Sequence, residues 1–170
     1  RGVPVVAMSG IVGGVALKGP ADRMLTSLGH ESSALGVARL YRAVASAFIV
    51  DAVDAAAVPA IEALGLRTIA FDTIMSDDAA RARVAGEVLA FAASAAFDAW
   101  LQHTLCGATG AAREALLERW AAAPSARYAH PREEHLLPLM VCAGAAGSDR
   151  GVVAFQGSIL GLALSGYQFG

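Results

Sequence analysis

The chain reads as α/β, with a mostly parallel sheet and crossover helices in its first half, then helices and a short terminal β pair in its second. Three features predict this. Short apolar runs rich in β-branched residues alternate with helix-coded stretches up to about residue 90, the pattern of crossover units on a parallel sheet. From Gly86 to Gly107 no further glycine or proline appears, and an apolar stripe that starts at Val84 continues through Val88, Phe91, Ala95, Phe97, Trp100 and Leu101. From Gly151 onward the chain returns to short apolar segments punctuated by glycine.

In chain order, "VPVVAM" (residues 3–8) reads as a strand that runs into the glycine segment "SGIVGG". Gly13 and Gly14 are expected at a strand-to-helix loop that needs positive φ. "GPADRMLTSLG" follows as a helix, with Pro20 in its first turn, Asp22 near its positive end and Gly29 as its stop. "SALGVARLY" and "SAFIVD" predict two short buried strands. "AAAVPAIEALG" is helical in composition, which requires Pro59 to lie in the first turn. "RTIAFDT" is a strand, and "SDDAARARVAGEVLAFAA" opens a helix capped by Ser76 or Asp77. One helix, or two nearly collinear ones, should then run from Asp78 to Leu105, because alanine-rich sequence favours helix.

Further on, "AAREALLERWAAA" predicts a helix with Leu116, Leu117 and Trp120 on one face. "PREEHLLPLMVCAGAAG" predicts another, opened by Pro131 and the acids Glu133 and Glu134, which suit a positive helix end, and kinked at Pro138. His135 is expected in its first two turns, directed at a pocket or interface. "RGVVAFQGS" and "ILGLALSGYQFG" close the chain as two β segments.

Apolar residues make up 56% of the chain and charged ones 16%, which excludes disorder. A net charge of -2 leaves no basic face for nucleic acid or an anionic membrane surface. No apolar stretch is expected to reach the roughly 18–20 residues of a spanning helix, so no membrane partner is expected. Cys106 and Cys142 have no framework or metal spacing and are expected as reduced thiols in a cytoplasmic protein. The chain opens at Arg1, without methionine, and enters an apolar strand within two residues, so the natural start is expected upstream. Asp51 and Asp54 read as strand-end and cap residues, although strand ends are where parallel sheets bind ligands. His30 and His103 read as surface residues.

The segments "SGIVGGVALKGPADRML", "LGHESSALGVARLY", "FIVDAVDA" and "TIMSDDAARARVAGEVLA" occur in order across residues 4–90. They resemble the C-terminal part of the 2-phospho-lactate transferases of deazaflavin coenzyme biosynthesis, with Gly10 where that family carries proline. The resemblance implies a phospho-lactyl transfer to a deazaflavin alcohol, with magnesium as a candidate cofactor. It also implies that Ser9, Gly13, Gly14 and Lys18 line the site for deazaflavin and phosphate. The chemistry is consistent, since glycine lets backbone N–H groups approach an anion and Lys18 is the only lysine.

"FDAWLQHTL", "HPREEHLLPLMVCAGAAG" and "GSILGLALSGYQFG" carry a second resemblance, from about residue 94 to residue 170. It is to the C-terminal part of class III extradiol ring-cleavage dioxygenases of the DOPA-dioxygenase type. This implies iron(II) or zinc held by His135, an aromatic catechol substrate, and His130 and Glu134 as neighbours of the metal ligand. An oxygen-activating metal needs about three rigid protein ligands and open positions, and this segment supplies one or two.

The sequence thus predicts a fusion of two C-terminal enzyme fragments, a transferase-like 1–92 and a dioxygenase-like 93–170, meeting inside a helix near Ala90 to Ala95. As an isolated chain it is expected to be non-catalytic, to bind deazaflavin and nucleotide phosphates weakly, and to expose enough apolar surface for a homo-oligomer.

Overall fold

A computed structural model describes residues 5–159 and 161–170, and shows the mixed α/β architecture that the sequence predicts. The chain divides into two compact units, Arg1–Ala92 and Ala93–Gly170.

The first unit contains, in order, strands β1 (Val6–Met8), β2 (Ile11–Val12) and β3 (Val15–Ala16), then helices α1 (Ala21–Ser27) and α2 (Ala34–Tyr41). Strand β4 (Ala47–Asp51), helix α3 (Val58–Glu62), strand β5 (Arg67–Phe71) and the start of α4 (Asp78–Gly107) complete it. Strands β1, β4 and β5 form a parallel sheet in that order, with Val6 opposite Ala47 and Ala47 opposite Arg67. The central strand β4 is buried along its whole length. Its alternation sorts the core: Phe48 and Val50 pack with Ala34, Ala38, Ile61 and Leu66. Ala47 and Ile49 point the other way and meet Ile69 and Phe91 of α4. Burying a strand on both faces is what a parallel sheet requires, and it explains why "AFIV" is uniformly apolar.

Two sequence expectations are corrected here. "SALGVARLY" is helix α2, not a strand. Ser33 caps it by accepting a hydrogen bond from the Gly36 N–H at 3.0 Å, and a β-carbon on Gly36 would collide with the Glu31 carbonyl. An apolar run of that length can be strand or helix, and the cap decides. Gly13 and Gly14 do not lead into a helix. They form the two-residue tip of the β2–β3 hairpin, with φ of 58° and 86°. Positive φ at both central residues is the type I′ geometry that suits the twist of a hairpin.

Helix α4 runs unbroken from Asp78 to Gly107, as the sequence predicts, and Asp77 caps it by accepting from the Ala80 N–H at 2.8 Å. It is also, by length and composition, apolar enough to cross a membrane, where the sequence predicts no such segment. Its most apolar window is 44% buried within the protein, and core helices of soluble proteins pass the same test.

The second unit holds the rest of α4, α5 (Gly110–Glu118), α6 (Ala126–Ala129), α7 (Leu137–Ala145) and the antiparallel ribbon β6 (Val152–Ile159) and β7 (Leu162–Gln168). Phe97, Leu101, Trp120, Ala126 and Leu136 form one core, with Trp100 stacked on Phe97 at 5.6 Å between centroids. Leu105, Leu117 and Ala143 form a second, closed by Tyr167 and Phe169. Arg113 of α5 is fully buried. Its guanidinium donates to the carbonyls of Ala143 (2.7 Å), Gly147 (2.8 Å) and Asp149 (2.6 Å) and lies over the Phe169 ring. The Ala143 carbonyl belongs to the last turn of α7, the negative end of that helix, so a cation there is favourable.

The "PREEHLLPL" helix starts later than predicted. Residues 131–136 form a turn in which the Glu133 carbonyl accepts from Leu136 and Leu137, and α7 begins at Leu137. Pro138 therefore lies in the first turn of α7, where its missing N–H costs nothing, and does not kink it.

Candidate functional site

Three buried polar residues of the first unit, Ser9, Asp51 and Thr73, lie at or just beyond the carboxyl ends of the parallel strands. Ser9 follows β1 and is buried. Its N–H donates to the Ile49 carbonyl at 2.9 Å, and its hydroxyl both donates to the Ile11 carbonyl (2.7 Å) and accepts from the Ile11 N–H (3.1 Å). The side chain thus closes the turn around Gly10 and launches the hairpin.

Asp51 ends β4 and is buried. One carboxylate oxygen accepts from the Val53 N–H at 3.0 Å, while the other accepts from the Thr73 N–H (2.9 Å) and hydroxyl (2.8 Å) beyond β5. Burial, the largest single influence, pushes its pKa up. The three hydrogen bonds together outweigh it and hold the group below the ordinary aspartate value. Asp51 is thus an ionised staple between the ends of β4 and β5.

Asp54, in the 3₁₀ turn Ala52–Ala57, accepts from the Gly13 N–H at 3.0 Å. The Ser32 hydroxyl donates to the Gly14 carbonyl at 2.8 Å. The hairpin tip is therefore held by one residue from each of two distant segments. An open groove of about 410 Å³ lies beside it, lined by Gly14, Asp22, Arg23, Thr26, Ser27 and Ser32. Lys18 is exposed on the segment between β3 and α1 and is not among these lining residues.

Of the predicted phosphate-site residues, the structure puts Ser9, Gly13 and Gly14 on one local chain path at the strand ends. The Gly13 N–H already donates to Asp54, so an anion there would have to displace a carboxylate. Asp51 and Asp54 were legible as strand-end residues, but their links to Thr73 and Gly13 had no local sequence signal. Ser32, Arg23 and Thr26 were not singled out by sequence at all.

In the second unit His135 is exposed and lies in the turn before α7, which corrects the expectation that it sits in the first two turns of a helix. His130 is half-buried against Phe97, 5.1 Å between ring centroids. Burial, and secondarily the like charge of His135, lowers its pKa. Among the described residues no group of three or more His, Cys, Asp or Glu side chains is placed to hold a metal ion. At the strand ends hydrogen bonds engage the carboxylates of Asp51 and Asp54.

Comparison with known proteins points to a class of group-transfer enzymes, over about half the chain. It is 44% identical over 92 residues to the phosphoenolpyruvate transferase of Streptomyces avermitilis, a match covering 54% of this chain and 29% of that protein. The phosphoenolpyruvate transferase of Streptomyces griseus subsp. griseus matches with the same identity and coverage. The 2-phospho-L-lactate transferase of Methanosarcina acetivorans is 38% identical over 72 residues, 42% of this chain and 24% of that protein. The chain thus spans under a third of the length of the curated relatives it matches. No family model matches it.

Proposed function

We propose that the first unit is the strand-end portion of a phosphoenolpyruvate or 2-phospho-lactate transferase. In this reading, Ser9, Gly13, Gly14 and Lys18 lie along the path of a phosphate-bearing substrate, and a deazaflavin alcohol is the acceptor. The observation that carries the reading is the 44% identity over 92 residues to transferases. The position of Ser9, Gly13 and Gly14 by the carboxyl ends of parallel strands, the usual ligand side of such sheets, supports it. Ser9 and Asp51 would act by positioning: one aims the hairpin, and the other fixes the loop after β5. Lys18 and Arg23 are the cations available nearby in sequence to meet phosphate charge. A groove this open cannot by itself offset the lost translational freedom of a ligand, so the 170-residue chain alone should not turn over.

The test is a chimera in which residues 1–92 replace the matching segment of the Streptomyces avermitilis transferase. Transfer activity in the folded chimera, reduced at least tenfold by Lys18→Ala, is the expected result. A folded chimera without activity would sink the proposal. The catechol-cleavage reading of the second unit rests on its motif alone, and nothing in the geometry around His135 favours it.

A further inference from the structure

We infer that the outward face of the β6–β7 ribbon is a self-association surface that docks a second copy of this chain. Cross-strand partners share a face, and the register settles which face each residue takes. The Ser165 hydroxyl donates to Asp98 of α4 (2.9 Å) and Tyr167 packs against the core, so these two side chains face inward, and strand alternation puts Ala163 on the same face. The alternate rungs then face outward: Val152 with Gln168, Phe155 with Gly166, Gly157 with Leu164, and Ile159 with Leu162. The five large apolar residues among them are each between 44% and 58% exposed. A row of half-exposed apolar rungs is the reverse of a solvated ribbon face.

The chemistry of the face selects its occupant. No charged residue occurs from Gly151 to Gly170, so nothing there would recognise a charged partner or draw the ribbon to anionic headgroups. The two middle rungs each pair one large residue with one glycine, and in opposite senses. The Phe155 ring lies over Gly157, where a β-carbon would come within 2.9 Å of it, so Gly166 is left as the hollow beside Leu164. A two-fold related copy can therefore set its Leu164 against the Gly166 hollow of the first, and the reverse, which is how facing layers interdigitate. The exposed apolar area is on the order of 450 Å² per copy, at the upper end of patches tolerated on monomers. Doubling it gives roughly 900 Å², near the lower limit of about 1,000 Å² for a specific interface, so the dimer should be weak.

Sedimentation equilibrium of the 170-residue chain across micromolar concentrations tests this. A reversible dimer is expected, with Leu164→Glu weakening it by about thirtyfold or more, as for a central interface residue. In a Cys106→Ser, Cys142→Ser background, Leu164→Cys should cross-link through a short bismaleimide that spans the roughly 10 Å between packed sheets. Glu118→Cys, exposed on α5, should not. The cross-linking arm keeps the test decisive if the glutamate variant fails to fold. A wild-type chain that stays monomeric throughout, whether or not it floats with lipid vesicles, would overturn the inference. So would a dimer indifferent to Leu164→Glu, or equal cross-linking from position 118.

Discussion

The two units bury strand-forming sequence in opposite ways. In the first, β4 has a strand on each side and helices on both faces, so every residue from Ala47 to Asp51 is buried. Its polar ends are tied by carboxylates, Asp51 to Thr73 and Asp54 to Gly13, across gaps of 22 and 41 residues. In the second, the ribbon β6–β7 has one face docked and one open, and a single buried arginine collects the loose carbonyls around α7. The lesson is that a three-stranded sheet distributes its polar demands over several small contacts, whereas a helix-and-ribbon unit concentrates them in one side chain. The first arrangement should lose stability gradually under mutation, and the second abruptly.

The largest effect should therefore come from Arg113. Arg113→Met removes the guanidinium from three carbonyls, of which the buried Ala143 carbonyl is left without a partner while that of Gly147 keeps the Gly110 N–H, and the loss of charge-assisted bonds should cost on the order of 3 kcal/mol. Hydrogen exchange should show amides of the second unit losing protection while those of β4 keep theirs. Uniform loss in both units, or a cost below about 1 kcal/mol, would break the contrast.

A smaller effect is expected at Asp51. Asp51→Asn keeps the shape but weakens acceptance from Val53 and Thr73, for about 1–2 kcal/mol. The folded carboxyl titrates below its ordinary value of 3.8. Its stabilising contribution is therefore complete above that value and is lost as pH falls through the lower folded one. Acid unfolding of the wild type should show this component, and the asparagine variant should lack it. Identical acid transitions in the two proteins would show that Asp51 does not staple the strand ends.

The smallest effect concerns His130. Its ring is held below the ordinary 6.5 by burial and then by His135. The folded state thus prefers neutral imidazole, and stability falls as pH drops below 6.5, levelling off beneath the folded value. An NMR titration of the ring should give a midpoint under 6.5 that rises in His135→Ala. A midpoint unmoved by that substitution would remove His135 from the environment of His130.

Much of the first unit was legible because its signals are local. The uniform burial of "AFIV", Pro59 in a first turn and the Asp77 cap each follow from neighbouring residues. Helix α2 was missed because "SALGVARLY" is as apolar as a strand, and only Ser33 and the tight approach of Gly36 to Glu31 resolve it. The start of α7 was misread because two prolines compete for the same role, and the acids after Pro131 favoured the wrong one. Gly13-Gly14 between two apolar pairs is a hairpin signal in its own right, but the same glycines also suit a strand-to-helix loop. Nothing in the sequence sets Arg113 apart from the other arginines, since its partners lie 30 to 36 residues away. The same holds for the candidate site: strand ends can be located from sequence, but the contacts between them cannot.

The absence of charge from Gly151 to Gly170 also affects how the protein reaches its native state. Strand-forming segments usually carry gatekeeper charges that keep like segments apart before they are paired. Here that task falls to the docking of β7 on α4 through Ser94 and Asp98, which cannot begin until the helix has formed. Until then, each unfolded chain presents the same uncharged strands to every other. Docking is unimolecular and chain encounter is bimolecular, so the recovered fraction on dilution from denaturant should fall as protein concentration rises.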